Sequence, residues 1–148
     1  MARHPPVDRV VLVNHLEDSV EVGGQSFPLS TNLYDGVVYP EGYRYCEGFS
    51  ASPWPTWRFA SHGICLEREL LCLDGRDMVV VRWRLLGDAP SAVVLRVRPM
   101  LSGRDFHATH QENAGVHSQA TILDGRVTWQ PYDALPPVQA FHNGHYHH

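Results

Sequence analysis

Turn signals cut this sequence into short segments, and they constrain the fold more than any other feature. Twelve Gly and eleven Pro are scattered along the chain, and no window between them shows a sustained apolar repeat at helical spacing. The intervening segments alternate in polarity or are β-branched, as strands are, and they recur roughly every ten residues. The sequence therefore predicts an all-β sandwich or barrel made of antiparallel strands.

Neighbouring pairs of these segments are predicted to form hairpins. Their turns are centred on Gly23-Gly24, Ser61-His62-Gly63, Asp74-Gly75 and Asp124-Gly125. Gly, Asn and Asp accept the positive φ that tight hairpin turns require. Each pair is therefore expected to be antiparallel and joined by a short turn.

The third of these hairpins allows a register to be predicted. A two-residue turn places Glu67 opposite Arg82 and Leu66 opposite Trp83. The face that carries Trp83 must be the core side, because the other face carries arginines and glutamates whose burial would cost more than their pairing returns. Arg68 falls on the core side, and we expect it near a sheet edge with its guanidinium reaching solvent or a carboxylate.

The charge pattern excludes several classes of protein. The formal net charge is −4 and all twelve basic residues are Arg, which argues against a nucleic-acid or anionic-membrane binder. No apolar stretch approaches the ~20 residues that a membrane span needs, and the first residues do not lead into an apolar signal core. We expect a soluble cytoplasmic protein without a cofactor, in which Cys46, Cys65 and Cys72 are reduced thiols.

Two long segments do not fit the hairpin pattern and are predicted to be irregular. Leu29–Pro55 is rich in Gly, Pro and aromatic side chains, and Leu101–Val116 is polar and rich in His. Long loops on a rigid β scaffold are where binding and catalytic groups tend to lie. A functional site is therefore expected in these two segments.

The first of these segments contains aromatic rings beside groups that can bind hydroxyls. A sugar packs its C–H face on a ring while its edge forms hydrogen bonds, so this mixture is typical of a saccharide site. The alternative is that the rings are core or interface packing. Trp54 and Trp57 lie three positions apart, so an extended backbone predicts one buried ring and one exposed ring. The rings are Tyr34, Tyr39, Tyr43, Tyr45, Phe49, Trp54 and Trp57, and their polar neighbours are Asp35, Glu41, Arg44 and Glu47.

Metal and acid–base chemistry find little support in the sequence. His107, His110 and Glu112 have neither the His-x-His spacing of cupin-type barrels nor the His-Glu-x-x-His spacing of zincins. Carboxylates such as Asp35 and Asp105 are not forced into a pair by their spacing. We therefore predict no metal site and no catalytic residue, and a small metal-dependent β-barrel enzyme built on His107 and His110 is the least favoured alternative.

Several motifs and their order carry a family resemblance. The motifs are Ser30-Thr31-Asn32-Leu33-Tyr34, Tyr39-Pro40-Glu41-Gly42-Tyr43-Arg44-Tyr45, Arg98-Pro99-Met100-Leu101, and Arg104-Asp105-Phe106-His107 leading to Glu112-Asn113. Together they resemble the N-terminal domain of the bacterial and archaeal glycogen debranching enzymes, the amylo-α-1,6-glucosidase family. The resemblance implies an antiparallel β-sandwich of the supersandwich type, placed before an (α/α) barrel that carries the glycoside hydrolase chemistry.

The resemblance also implies an accessory role for this chain. Residues 1–148 are expected to form a single β-sandwich domain, a piece of a larger N-terminal domain, with the catalytic barrel outside it. Such a domain would pack on the barrel and help to shape the cleft for an α-glucan such as glycogen or limit dextrin. The surface that the barrel covers could also pair two copies into a homodimer, and the alternative function is that of a free-standing carbohydrate-binding module.

One set of residues is the candidate for substrate binding or for contact with the barrel. The polar members could instead lock their own loops through internal hydrogen bonds, as Asn and Asp side chains often do. The candidates are Asn32, Tyr34, Tyr39, Glu41, Tyr43, Trp54, Trp57, Arg104, Asp105 and His107.

Overall fold

The structure, a computed structural model, describes residues 2–4, 7–109, 111 and 113–148. In these residues the chain is all-β with antiparallel sheets, as the sequence predicts, and none of the sheets closes into a barrel. A 3-10 helix covers Gly42–Tyr45. The strands are β1 (Ala2–His4), β2 (Val7–Val22), β3 (Gln25–Pro28), β4 (Thr31–Tyr34), β5 (Val37–Glu41), β6 (Cys46–Ser50), β7 (Thr56–Ser61), β8 (Ile64–Cys72), β9 (Val79–Leu86), β10 (Val93–Asp105), β11 (Ala120–Leu123), β12 (Arg126–Trp129) and β13 (Val138–Phe141).

These strands form several separate sheets. β6, β7, β8 and β9 form a four-stranded sheet in chain order, and β4 pairs with β5 as an isolated hairpin. β2 pairs with β3 and lies between β1 and β10 in another sheet, while β11, β12 and β13 form a three-stranded one. Within the described residues, no helix has the length and apolar character needed to cross a membrane.

The chain divides into two compact units. The central unit is Leu16–Arg98, and it contains the four-stranded sheet together with β3, β4 and β5. The terminal unit combines Met1–His15 with Pro99–His148, and it contains β1 and the three-stranded sheet. β2 and β10 each continue from one unit into the other. The expectation of a single sandwich domain stays a prediction.

The core of the central unit depends on the alternation of β2 and β3. Gly23 and Gly24 have φ angles of 57° and 77°, which fits the two-residue hairpin turn that the sequence predicts. This turn pairs Val20 with Phe27, and both side chains are almost completely buried. Burial of such a side chain contributes about 1.5–3 kcal/mol. The core is completed by Val22, Leu29, Phe59, Ile64 and Leu66.

The predicted register of the β8–β9 hairpin is wrong by two residues. The connection is longer than Asp74-Gly75, because the backbone N–H of Leu73 donates to the Met78 carbonyl at 3.1 Å. Glu67 therefore pairs with Arg84 rather than with Arg82. A shift of two residues keeps every side chain on its predicted face, so the side that carries Trp83 does pack against the core.

Arg68 lies on the core side of β8 and reaches a buried carboxylate. Its Nη1 donates to both side-chain oxygens of Asp18 at 3.1 Å, and Asp18 also accepts from Trp83 Nε1 at 2.8 Å and from Ser30 Oγ at 2.6 Å. The expected carboxylate is therefore present. The expectation of a sheet edge is wrong, because β8 lies between β7 and β9. The guanidinium instead bonds to Asp18 on β2, and its Cζ atom lies 4.7 Å from the centroid of the Trp57 ring.

The terminal unit also contains buried apolar side chains. Leu123 pairs with Arg126 across Asp124-Gly125, so the predicted two-residue turn is confirmed. Val127 and Trp129 alternate to the buried side of β12, and Pro131 is also fully buried.

Candidate functional site

A surface cleft lies in the central unit between the β2–β3 hairpin and the segment from β5 to the 3-10 helix. Its volume is about 320 Å³, and we call it the Tyr39 cleft. Ser19 pairs with Pro28, and both lie on the face opposite to Val20 and Phe27 because side chains alternate along a strand. The same hairpin thus supplies the core with one face and the cleft with the other. The lining residues are Ser19, Ser26, Pro28, Tyr39, Pro40, Glu41, Arg44 and Tyr45.

A buried glycine fixes the other wall of the cleft. The backbone N–H of Gly42 donates to the Ser30 carbonyl at 2.9 Å. A Cβ on this residue would lie within 3.0 Å of the backbone of Leu29 and Ser30, closer than real Cβ atoms approach. The next residue is held as well, because the N–H of Tyr43 donates to Thr31 Oγ1 at 2.8 Å. Only glycine therefore allows this close packing of the 3-10 helix on the chain before β4.

Two of the residues that line the cleft, Glu41 and Arg44, form an ion pair. Arg44 Nη2 donates to Glu41 Oε1 at 2.9 Å, and the Tyr43 hydroxyl donates to the same oxygen at 3.1 Å. The hydrogen bond from Arg44 outweighs desolvation and holds the pKa of Glu41 below its usual value of 4.5. Glu41 is thus an ionised hydrogen-bond acceptor at neutral pH, and it is unsuited to act as a general acid.

The β4–β5 hairpin presents large apolar side chains to solvent. Leu33 is 82% exposed and Tyr39 is 69% exposed, while Tyr34 and Val37 pair at the tip and are about half exposed. The prediction that Leu29–Pro55 is irregular is therefore wrong, since it contains β4, β5, the 3-10 helix and β6. Asn32 on β4 is half-buried, and its Nδ2 has no hydrogen-bond partner among the described residues.

The two tryptophans lie elsewhere in the central unit. Trp54 Nε1 faces Glu69 Oε1 at 3.4 Å, and the Trp57 ring packs against Phe49 with centroids 5.2 Å apart. Both tryptophans are half-buried, so the expectation of one buried and one exposed ring is wrong. The reason is local: Trp54 lies in a bend before β7 rather than in a strand, so alternation does not apply to it.

Acid should weaken the ion pairs that Glu69 and Glu41 form with arginines. The hydrogen bond from Arg82 holds the pKa of Glu69 below 4.5 against the opposing effect of desolvation, and Arg44 does the same for Glu41. Because folding lowers both pKa values, their stabilisation is present above about pH 4.5 and is lost as the pH falls through the lowered folded values. We expect the urea midpoint to fall between about pH 5 and pH 3, and the Arg82→Gln variant to show a smaller fall. The control is Arg76→Gln, because the Arg76 side chain takes part in no ion pair among the described residues. An equal fall of the urea midpoint in the two variants would contradict this expectation.

A second cleft, of about 600 Å³, lies in the terminal unit and contains Arg104 and His107. Arg104 Nη1 donates to the backbone carbonyls of Asp105, Phe106 and Ala108 at 3.2–3.3 Å. Asp105 Oδ1 accepts from the backbone N–H of His107 at 2.8 Å. These contacts close the turn after β10 on itself, so Arg104 and Asp105 hold the loop in place.

No group of three or more His, Cys, Asp or Glu side chains that could hold a metal occurs among the described residues. His110 and Glu112, on which the metal alternative depends, lie outside the described residues. His107 contacts the edge of the Phe106 ring, with centroids 5.1 Å apart.

The structure brings together only some of the candidates that the sequence suggests. Tyr39 and Glu41 share one cleft, and Tyr43 touches Glu41, whereas Arg104, Asp105 and His107 belong to the other unit. Sequence reasoning missed Ser19 and Ser26. The available signal was the Gly23-Gly24 turn, whose register places both hydroxyls on the face opposite to the buried valines.

The fold and the cleft define the class: an all-β antiparallel domain whose candidate site is an open surface cleft of rings, hydroxyls and one neutralised ion pair. The model of the family described as glycogen debranching enzyme N terminal matches residues 1–148. The chain therefore belongs to the family of glycogen debranching enzyme N-terminal domains. Comparisons with curated proteins and with solved structures found no match.

Proposed function

We propose that this chain is the non-catalytic N-terminal domain of a glycogen-debranching glycoside hydrolase, that it packs on the catalytic barrel, and that it helps to shape the α-glucan cleft. Membership of the family supports the proposed enzyme class. The observation that supports the packing on the barrel and the shaping of the glucan cleft is the exposed β4–β5 hairpin beside the Tyr39 cleft. Three free cysteines are consistent with a reducing cytoplasm as the location.

The exposed hairpin supports a contact with another folded part of the enzyme. Leu33, Tyr34, Val37 and Val38 surround the tip of one short hairpin, all four are exposed, and none of them lines the Tyr39 cleft. Contiguous apolar side chains of this kind mark interaction surfaces in soluble proteins. Covering an exposed Leu side chain contributes about 1.5–3 kcal/mol, so the hydrophobic effect favours seating another folded domain on this hairpin.

The carboxylates support a non-catalytic role. Glycosidases need two carboxyl groups about 5–10 Å apart, one of them protonated to act as the acid. In the Tyr39 cleft the lining carboxylate is Glu41, and Arg44 keeps it ionised. The free-standing binding module is the second candidate, because an open cleft of this composition could serve either role.

We expect residues 1–148 alone to release no glucose from glycogen, limit dextrin or pullulan, because the acid–base pair is supplied by the barrel. The whole polypeptide encoded by the gene should release glucose from limit dextrin in the same assay. Turnover by residues 1–148 that disappears in Glu41→Gln would overturn the non-catalytic role. A gene that stops directly after codon 148 would favour the free-standing binding module.

A further inference from the structure

The charge of the Tyr39 cleft limits the ligands that it can hold. Glu41 and Arg44 line it and neutralise one another through a 2.9 Å ion pair. An anionic or cationic ligand would have to compete with that pair. A neutral ligand can instead use the remaining donors of the guanidinium and the remaining acceptor of the carboxylate, together with the hydroxyls of Ser19 and Ser26.

The two tyrosines of the cleft differ in a way that indicates their roles. The Tyr45 ring packs on Phe27 with centroids 5.1 Å apart, and it is part of the wall. Tyr39 keeps most of its surface exposed although it lines the cleft. An exposed aromatic ring beside hydrogen-bonding groups of zero net charge suits a ligand with one apolar face and a polar rim. A hexose ring has this distribution of polarity.

The volume of the cleft suits one small unit of a polymeric ligand. Pockets for whole drug-sized ligands occupy about 300–1,000 Å³, and this cleft lies at the lower end with about 320 Å³. We propose that the Tyr39 cleft binds one glucosyl unit of a neutral α-glucan chain, with the Tyr39 ring as the stacking platform and Glu41 and Arg44 as partners of the sugar hydroxyls. The choice of an α-glucan among neutral sugars rests on the proposed function.

The first test is the affinity of residues 1–148 for maltoheptaose, measured by isothermal titration or by affinity electrophoresis in glycogen. Tyr39→Ala should weaken binding about tenfold, because the stacking surface is lost. Tyr39→Phe keeps the ring and should stay within about threefold of the parent. Tyr34→Ala is the matched control, since Tyr34 is an exposed tyrosine of the same hairpin that does not line the cleft.

A second measurement needs no variant. Addition of maltoheptaose should shift the backbone amide signals of Ser19, Ser26 and Arg44 in a ¹⁵N correlation spectrum, and a phosphorylated hexose should cause no larger shifts. Shifts confined to other residues would overturn the proposal, and so would equal losses of affinity in Tyr39→Ala and Tyr34→Ala.

The two proposals fail in distinguishable ways. If residues 1–148 bind no glucan while the whole polypeptide debranches limit dextrin, the cleft proposal is wrong and the proposed function stands. If Tyr39-dependent binding is found but the whole polypeptide releases no glucose, the cleft proposal stands and the debranching role is wrong.

Discussion

The Asp18→Ala variant should lose about 3–5 kcal/mol of unfolding free energy, the usual effect of removing one partner of a buried ion pair. The Asp18 side chain is fully buried, and the Arg68 side chain that faces it is only 20% exposed. Removal of the carboxylate leaves a guanidinium uncompensated, and it also removes the acceptor for Trp83 Nε1 and the shortest of the three acceptors of Ser30 Oγ. Each unsatisfied buried donor adds to the loss. Urea unfolding followed by tryptophan fluorescence measures the change.

The matched control is Glu21→Ala. Glu21 sits on the same strand and pairs with Arg96 at 2.5 Å, but these side chains are 35% and 59% exposed. Exposed pairs contribute about 0–1 kcal/mol, so this variant should change stability little. A double variant, Asp18→Ala with Arg68→Met, should regain part of the loss because it removes the unpaired charge. Equal effects of Asp18→Ala and Glu21→Ala would show that the buried network does not hold the central unit together.

This network illustrates what the sequence could not predict. Asp18 alternates with Val20 and Val22, so the pattern places it on their face of β2, but it does not show which groups pair with the carboxylate there. Its partners Arg68 and Trp83 lie 50 and 65 residues further along the chain. Only the packing of β2 against β8 and β9 brings these groups together, and local pattern carries no information about that packing.

Hairpins show where local information is sufficient and where it is not. Gly23-Gly24 and Asp124-Gly125 form two-residue turns as predicted, because the positive φ of their glycines is a local requirement. At Asp74-Gly75 the turn also includes Arg76 and Asp77, since Leu73 bonds to Met78. Both registers place the same side chains on the same faces, so the polarity of the strands could not choose between them.

The region of the Tyr39 cleft was predicted to be irregular for a different reason. β4 has four residues and β5 has five, too few for alternation to emerge. Most side chains of this hairpin are exposed, and apolar residues occur on both of its faces, with Leu33 and Val38 on one face and Tyr34 and Val37 on the other. The rings beside Glu41 could be recognised as a candidate site from composition alone. Composition does not show that these aromatic rings are divided among separate parts of the central unit.

The Gly42→Ala variant should lose about 1–3 kcal/mol or more, the range for forcing an extra methyl group into a packed site. The new Cβ would meet the backbone of Leu29 and Ser30, and backbone atoms cannot rotate away as a side chain can. The segment that carries Glu41 and Arg44 must therefore move off the chain before β4. We expect maltoheptaose binding to weaken together with stability, because the cleft loses one wall.

Gly48→Ala is the control for this effect. Gly48 has open space at the position of a Cβ and no positive φ, so alanine should leave stability within about 0.5 kcal/mol or raise it slightly by restricting the unfolded chain. Urea midpoints and maltoheptaose titrations of both variants make the comparison. If Gly42→Ala matched Gly48→Ala in both measurements, the close approach at residue 42 would not be what holds the 3-10 helix against the cleft. If Gly42→Ala lost stability but kept full affinity, the hydroxyls of Ser19 and Ser26 would have to carry the binding without the wall that Glu41 and Arg44 form.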